Sequence, residues 1–260
     1  MPRSRFALIA EQDNSPDNAW YRHHAYDPPF LKVISDEDHQ TLIDWHAETK
    51  ATYPNAGASG VEMMTMLTGL IMAAGIRRMV QCGHYVGFST LLLGMIARQM
   101  GQDRFLYTVD IDPRSSAFTQ KWIELAGLTK NVTMAVRDSS NPICAAEART
   151  FHGGDPQLVY IDSSHQYDHT RAELMLWWNA LPQGGLLVMD DVSGWAASFD
   201  RTGKGGSHRA AMEFRQHHAP NGVILNSSLY PDIGAQLVYT DICGLGIFQK
   251  PYPFSLEERA

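Results

Sequence analysis

From Val61 onward the chain alternates apolar helical stretches with short β-like runs, and this alternation constrains the fold more than any single residue. Helical periodicity covers Val61 to Ala74, Ser89 to Gln99, Ser115 to Ala126 and His169 to Ala180. Between these lie strand candidates Met79 to Cys82, Phe105 to Asp110, Val132 to Val136, Leu158 to Ile161 and Leu186 to Met189. Strands joined by helical crossovers run parallel, with helices on both faces of the sheet. Two more candidates, Gly222 to Leu225 and Gly244 to Gln249, have no helical stretch between them and are expected to pair antiparallel at the edge. The expectation is an α/β fold: a doubly wound, mostly parallel seven-stranded sheet with an antiparallel C-terminal edge.

Residues 1–60 differ in texture and are expected to form an N-terminal cap or arm, leaving 61–260 as the α/β domain. The arm carries an aromatic and histidine cluster, Trp20, Tyr21, His23, His24 and Tyr26, which suggests a homodimer contact. Ser35 with Asp38 three residues on approximates a capping box, so a helix is expected to about Lys50. The chain has 260 residues, 44% of them hydrophobic, and 21 Lys plus Arg against 28 Asp plus Glu, for a net charge of -7. That balance argues against a nucleic-acid partner, since there is no basic excess to neutralise phosphates. No apolar run approaches the roughly 20 residues that span a bilayer, so no membrane partner is expected. The cysteines, Cys82, Cys144 and Cys243, form no C-x-x-C pair and fit reduced thiols in a cytoplasmic protein.

In an open α/β sheet ligands bind beyond the carboxyl ends of the strands. After the first run comes Cys82-Gly83-His84-Tyr85-Val86-Gly87-Phe88-Ser89, whose glycines allow a tight turn against a ligand at a helix N-terminus. The dinucleotide fingerprint G-x-G-x-x-G would need glycine where Tyr85 stands, which disfavours nicotinamide and flavin dinucleotides. Asp110, in Val109-Asp110-Ile111-Asp112-Pro113, suits the two hydroxyls of a ribose, with an ordinary strand-end turn former as the less favoured alternative. Arg137-Asp138-Ser139-Ser140 suits an adenine edge and is also common turn chemistry.

Taken in order, Gln81 to Ser89, Val109 to Pro113, Ala126-Gly127-Leu128, Tyr160-Ile161-Asp162-Ser163-Ser164-His165, Leu181-Pro182-Gln183-Gly184-Gly185 and Met189-Asp190-Asp191-Val192 form a connected pattern. Over about residues 60 to 195 it resembles the class I S-adenosylmethionine-dependent methyltransferases, and among them the catechol-type and macrolide-sugar-type O-methyltransferases. The resemblance implies a Rossmann-like methyltransferase sheet with an N-terminal helical cap. It also implies a cofactor site of Gly83, His84, Tyr85, Gly87, Ser89, Asp110, Ile111, Asp138, Ser139 and Asp162. In that site Gly83, Tyr85 and Gly87 shape the turn, Ser89 meets the methionine carboxylate, Asp110 holds the ribose, and Asp138 and Ser139 lie beside the adenine. Asp162, Asp190 and Asp191 fall where these enzymes place metal ligands. His165 falls where the catechol-type enzymes carry a lysine base, and Gln81 stands where many relatives have an acid.

Methyl transfer from a sulfonium is an in-line displacement, so the protein must orient the acceptor and raise its nucleophilicity. Three carboxylates would form an oxygen-only site suited to Mg²⁺, and His165 could take the acceptor's proton. The acceptor is expected to be a small-molecule phenol, catechol or sugar hydroxyl. Other readings stay open. Asp190-Asp191 could be a capping turn and His165 a packing residue; a metal-independent N- or sugar O-methyltransferase could use His165 or His208 as base. His165 and His169 with Asp162 or Asp168 could hold zinc or iron in a hydrolase or oxygenase, and the fold could serve binding alone. The segment Trp195 to His208, with Arg201 and Lys204, is read as a mobile loop or lid. Met63, Met64, Met66 and Met72 are read as core filling.

Overall fold

A computed structural model describes residues 28–225 and 243–252. The aromatic cluster from Trp20 to Tyr26 lies outside the described residues. Helices α1 (Pro29–Val33), α2 (Asp36–Thr52) and α3 (Val61–Ala74) precede the first strand. There follow β1 (Met79–Cys82), α4 (Phe88–Gln99), β2 (Leu106–Asp110), α5 (Pro113–Leu125), β3 (Val132–Val136), α6 (Pro142–His152), β4 (Leu158–Ile161), α7 (Tyr167–Ala180) and β5 (Leu186–Asp190). A short 3₁₀ turn (Ala196–Phe199), α8 (Gly206–His217), β6 (Val223–Leu225) and β7 (Leu245–Gln249) complete the described chain.

The seven strands run in the order β3-β2-β1-β4-β5-β7-β6. β1 to β5 pair in parallel, while β7 pairs antiparallel with both β5 and β6. Alternation along each strand supplies the two faces. Met79, Leu106, Leu158, Tyr160, Leu186 and Val188 pack with helices α1 to α5. Their neighbours Val80, Cys82, Tyr107, Val159, Ile161 and Leu187 pack with α6 to α8. The sheet is therefore doubly wound, as the alternation of elements predicts. Among the described residues no helix is long and apolar enough to cross a membrane.

The described part of the N-terminal segment shares the main core. Phe30, Leu31, Leu42 and Trp45 are buried with α3 and α4. Ser35 and Asp38 close the expected capping box, and Asp38 is ion-paired with Arg98 of α4. The Trp45 indole N–H donates to the Val86 carbonyl at 2.8 Å, fastening α2 to the glycine turn. Met63 and Met64 fill the core, whereas Met66 and Met72 face outward.

Besides the short α1, two helices go beyond the sequence reading. α6 begins at Asn141, whose side chain accepts from the Ile143 N–H, with Pro142 in its first turn and Gly153 as left-handed C-cap. α8 follows a turn organised by Asp200, not an open loop. The Asp200 carboxylate accepts from the amides of Thr202, Lys204 and Gly206 and from the Thr202 hydroxyl at 2.7–3.1 Å. Burial opposes ionisation there, but these donors outweigh it and pull the carboxyl down to about 2.

Candidate active site

The strand order reverses between β1 and β4, and the crevice at their carboxyl ends collects nearly every residue singled out from the sequence. β1 carries, one residue before its end, a fully buried Gln81 whose amide acts as an internal strut. Its Nε2 donates to the Gly83 carbonyl at 2.9 Å and to Ser89 Oγ at 2.8 Å, and its Oε1 accepts from Thr90. Gly83 then turns at φ 87°, and an added Cβ would lie 1.9 Å from the Asp162 carbonyl oxygen, so only glycine fits. Gly87, at φ 96°, ends the turn as the cap of α4. Tyr85 takes a positive φ of 40° between them, and Thr119 Oγ1 pins its carbonyl at 2.7 Å.

Asp110, at the end of β2, holds this turn. Its Oδ2 accepts from the His84 and Tyr85 amides at 3.1 and 2.8 Å. His84 contributes only its backbone, since its buried ring contacts Thr108 Oγ1 and Ser116 Oγ. Desolvation lowers that imidazole to about 4 despite the Asp110 and Asp112 charges, so it is neutral. Ile111 is 70% exposed on the cavity wall, an apolar surface for a planar base. Beyond β3, Asp138 and Ser139 line the same wall. Burial tends to raise the Asp138 carboxyl, but donors from Ser140 and His169 hold it below its ordinary value.

The second half of the crevice is built by β4, β5 and the loops around them. Asp162 Oδ2 accepts from Ser59 Oγ at 3.1 Å and from the Tyr160 hydroxyl at 3.0 Å. Asp191 has a left-handed φ of 58°, and its Oδ2 lies 2.7 Å from His165 Nε2. Asp162 Oδ1 is 3.9 Å from the same nitrogen. In place of the expected three carboxylates, the residues that converge are Asp162, His165 and Asp191, whose ligand atoms all lie within 4.8 Å of one another. Asp190, which lines the same cavity, lies outside this cluster. One of its oxygens accepts from Tyr160 and the other from the Asp191 amide.

Two carboxylates and one imidazole suit a divalent cation of borderline hardness as well as Mg²⁺. Burial alone would lower the His165 pKa, but Asp162 and Asp191 push it up to about 10. That shift favours the protonated ring beside the two carboxylates.

His165 and His169 do not share a ligand site. His165 precedes α7 with φ 58°, while His169 turns to Asp138 and Glu173. Asp168 pairs with Lys204. His208, the other candidate base, binds the Val192 carbonyl at 2.8 Å. Ser59 and Glu173 were not foreseen; a lone carboxylate beside Leu174 and Trp177 on an apolar helix face is the signal that marks Glu173.

One cavity of about 1140 Å³ joins the two halves. It exceeds the roughly 300–1,000 Å³ of a typical small-molecule site. Residues 80–192 match a family model described as a methyltransferase domain. The cofactor-bound protein Rv0187 from MTB superposes with a TM-score of 0.60 at 20% identity, over 87% of this chain and 99% of that one. The O-methyltransferase of Bacillus cereus in complex with SAH gives 0.58 at 17% identity, over 81% of this chain and 91% of that one. TomG of Streptomyces achromogenes, an O-methyltransferase of tomaymycin synthesis in complex with SAM, gives 0.60 at 17% identity, over 85% and 93%. No curated protein matches the sequence.

Proposed function

We propose that this chain, a class I S-adenosylmethionine-dependent methyltransferase by its domain and fold, methylates the hydroxyl oxygen of a small acceptor, a phenol, catechol or sugar, aided by a divalent cation. The observation that carries the proposal is the single cavity in which a nucleoside-sized turn and a carboxylate–imidazole cluster face each other. The names of the Bacillus cereus and TomG neighbours support oxygen as the methyl acceptor.

S-adenosylmethionine would supply the electrophilic methyl group. The residues fit it: the tight turn from Gly83 to Gly87 on the cavity wall, Asp110 for the ribose, Ile111 and Asp138 for the base, and Ser89 at a helix N-terminus. Asp162, His165 and Asp191 would hold the cation, which as a Lewis acid would ease loss of the acceptor's proton. Ser59 and Tyr160 steady Asp162, and Phe199 covers the His165 ring with centroids 5.5 Å apart. The carboxylates of Asp162 and Asp191 orient the acceptor oxygen along the line of transfer.

A second reading keeps the cofactor and dispenses with the cation. The His165–Asp191 ion pair favours it, because the imidazolium already offsets one carboxylate. Labelled S-adenosylmethionine incubated with phenolic, glycosidic and amine acceptors, with Mg²⁺, Mn²⁺ or EDTA, separates these outcomes. Transfer to hydroxyls that EDTA abolishes supports the proposal; transfer insensitive to EDTA selects the second reading. Transfer to amines alone refutes oxygen as acceptor.

A further inference from the structure

The wall behind Asp138 and Ser139 contains an ion network that the proposed chemistry does not use. Glu173 of α7 is 0% exposed, and a carboxylate that deep persists only among donors. Ser139 Oγ donates to one of its oxygens and Ser163 Oγ to the other, the latter at 2.6 Å. One helical turn earlier His169 presents Nδ1 at 2.9 Å from Ser164 Oγ and 3.2 Å from the same carboxylate, and Nε2 at 3.0 Å from Asp138 Oδ1. The imidazole thus bridges a buried carboxylate and a cavity-facing one. Burial opposes its charge, but Glu173 and Asp138 outweigh that and hold it up at about 9, so both ring nitrogens carry protons to donate at neutral pH.

The bridge fixes which face of Asp138 is presented. The Ser140 amide at 2.8 Å, the Ser140 hydroxyl at 2.6 Å and His169 Nε2 at 3.0 Å all converge on Oδ1. Oδ2 has no such donor among the described residues, and the residue lines the cavity. An oriented acceptor oxygen there discriminates between ligand edges. It accepts from an amino group and repels a carbonyl oxygen.

We propose that His169, anchored by Glu173, is the positioning residue that turns the Asp138 carboxylate toward the cofactor's base and so selects a 6-aminopurine over a 6-oxopurine. This rests on the reading of the cavity as an S-adenosylmethionine site. Calorimetry with S-adenosylhomocysteine and S-inosylhomocysteine, on wild type, His169→Ala and His169→Gln, tests it.

Wild type binds the adenosyl compound at least about tenfold more tightly. His169→Ala weakens adenosyl binding by about tenfold or more and leaves inosyl binding within about twofold, so the preference collapses. His169→Gln, which keeps a donor toward Asp138, restores part of it. Equal loss for both nucleosides, or an unchanged preference in a variant whose melting curve shows it folded, overturns the inference. If His169→Ala does not fold, the glutamine variant carries the same comparison. Wild type binding neither nucleoside would overturn the cofactor reading as well, and this separates the two failures.

Discussion

Replacing Gly83 by alanine strikes the point where the two halves of the site touch. At φ 87° an L-residue costs about 1–2 kcal/mol from its own backbone. The new Cβ would stand 1.9 Å from the Asp162 carbonyl oxygen, 2.8 Å from its carbon and 3.0 Å from Ser163 Cα, all backbone atoms that cannot swing aside. Reaching ordinary contact requires the ends of β1 and β4 to part by about 1.5 Å. That separation strains two backbone hydrogen bonds, Asp162 N–H to Cys82 at 2.9 Å and Gly83 N–H to Val109 at 2.8 Å, each worth about 1 kcal/mol. The total is about 3–4 kcal/mol, or a melting temperature lower by about 10 °C in a domain of this size. Gly101, at φ 66° with nothing within 4 Å of an added Cβ, is the control, since its alanine variant bears the backbone cost alone. Thermal unfolding of both variants, with calorimetric titration of S-adenosylhomocysteine, makes the comparison. Gly83→Ala should melt below Gly101→Ala and lose cofactor affinity that Gly101→Ala keeps. Equal melting temperatures with affinity intact would refute the account of the turn.

Gln81→Glu removes the amide donor facing the Gly83 carbonyl and buries a carboxyl in its place. Stability should fall by about 2–3 kcal/mol at pH 8 and by less at pH 5, where the acid is protonated and donates again; equal losses in urea unfolding at the two pH values would contradict this. Asp191→Asn, which discharges the partner 2.7 Å from His165, should cut turnover by about 100-fold while S-adenosylhomocysteine binding stays within about twofold. A matching loss of cofactor affinity would place Asp191 in the wrong half of the site. His169 has its folded-state pKa raised to about 9 by Glu173 and Asp138 against burial. Its contribution is therefore complete below the ordinary value of about 6.5 and is lost as pH rises through about 9. S-adenosylhomocysteine affinity should fall between pH 8 and 10 more steeply in wild type than in His169→Ala, where only the ligand's own amino group titrates; equal slopes would contradict this.

The parallel sheet was legible because most of its strands are short, nearly unbroken apolar runs set between longer helical stretches. Val61 to Ala74, Met79 to Cys82 and Val132 to Val136 are observed at the expected bounds. α6 escaped because its inward face is made of Cys144 and Ala148, too small to mark a stripe, although Asn141, Pro142 and Gly153 signal both its ends. The Asp200 turn escaped for a different reason: Arg201, Gly203 and Lys204 look like loose surface chain until one carboxylate gathers the amides around it. In the site, positions along the chain could name Asp162, Asp190 and Asp191 but not their aim. Aim depends on the backbone, and the positive φ of Asp191 and of His165 brings those two side chains together while Asp190 remains tied to Tyr160.

Charge supplies an argument about the ligand that is independent of the glycine spacing. Asp110, Asp112, Asp138, Asp162, Asp190 and Asp191 all line the cavity, and Arg201 is the one Lys or Arg among the described residues that does. A dinucleotide would bring two phosphate charges into a field in which carboxylates outnumber cationic side chains, and Tyr85 stands where the dinucleotide fingerprint needs glycine. A sulfonium nucleoside with an α-amino group brings positive charge instead, and a divalent cation adds more. The acidic lining and the Tyr85 departure therefore exclude the same competitor for different physical reasons, one long-range and one steric. Neutralising Asp110 or Asp138 should for this reason weaken S-adenosylmethionine more at low ionic strength than at high, and binding indifferent to salt would remove the electrostatic half of the argument.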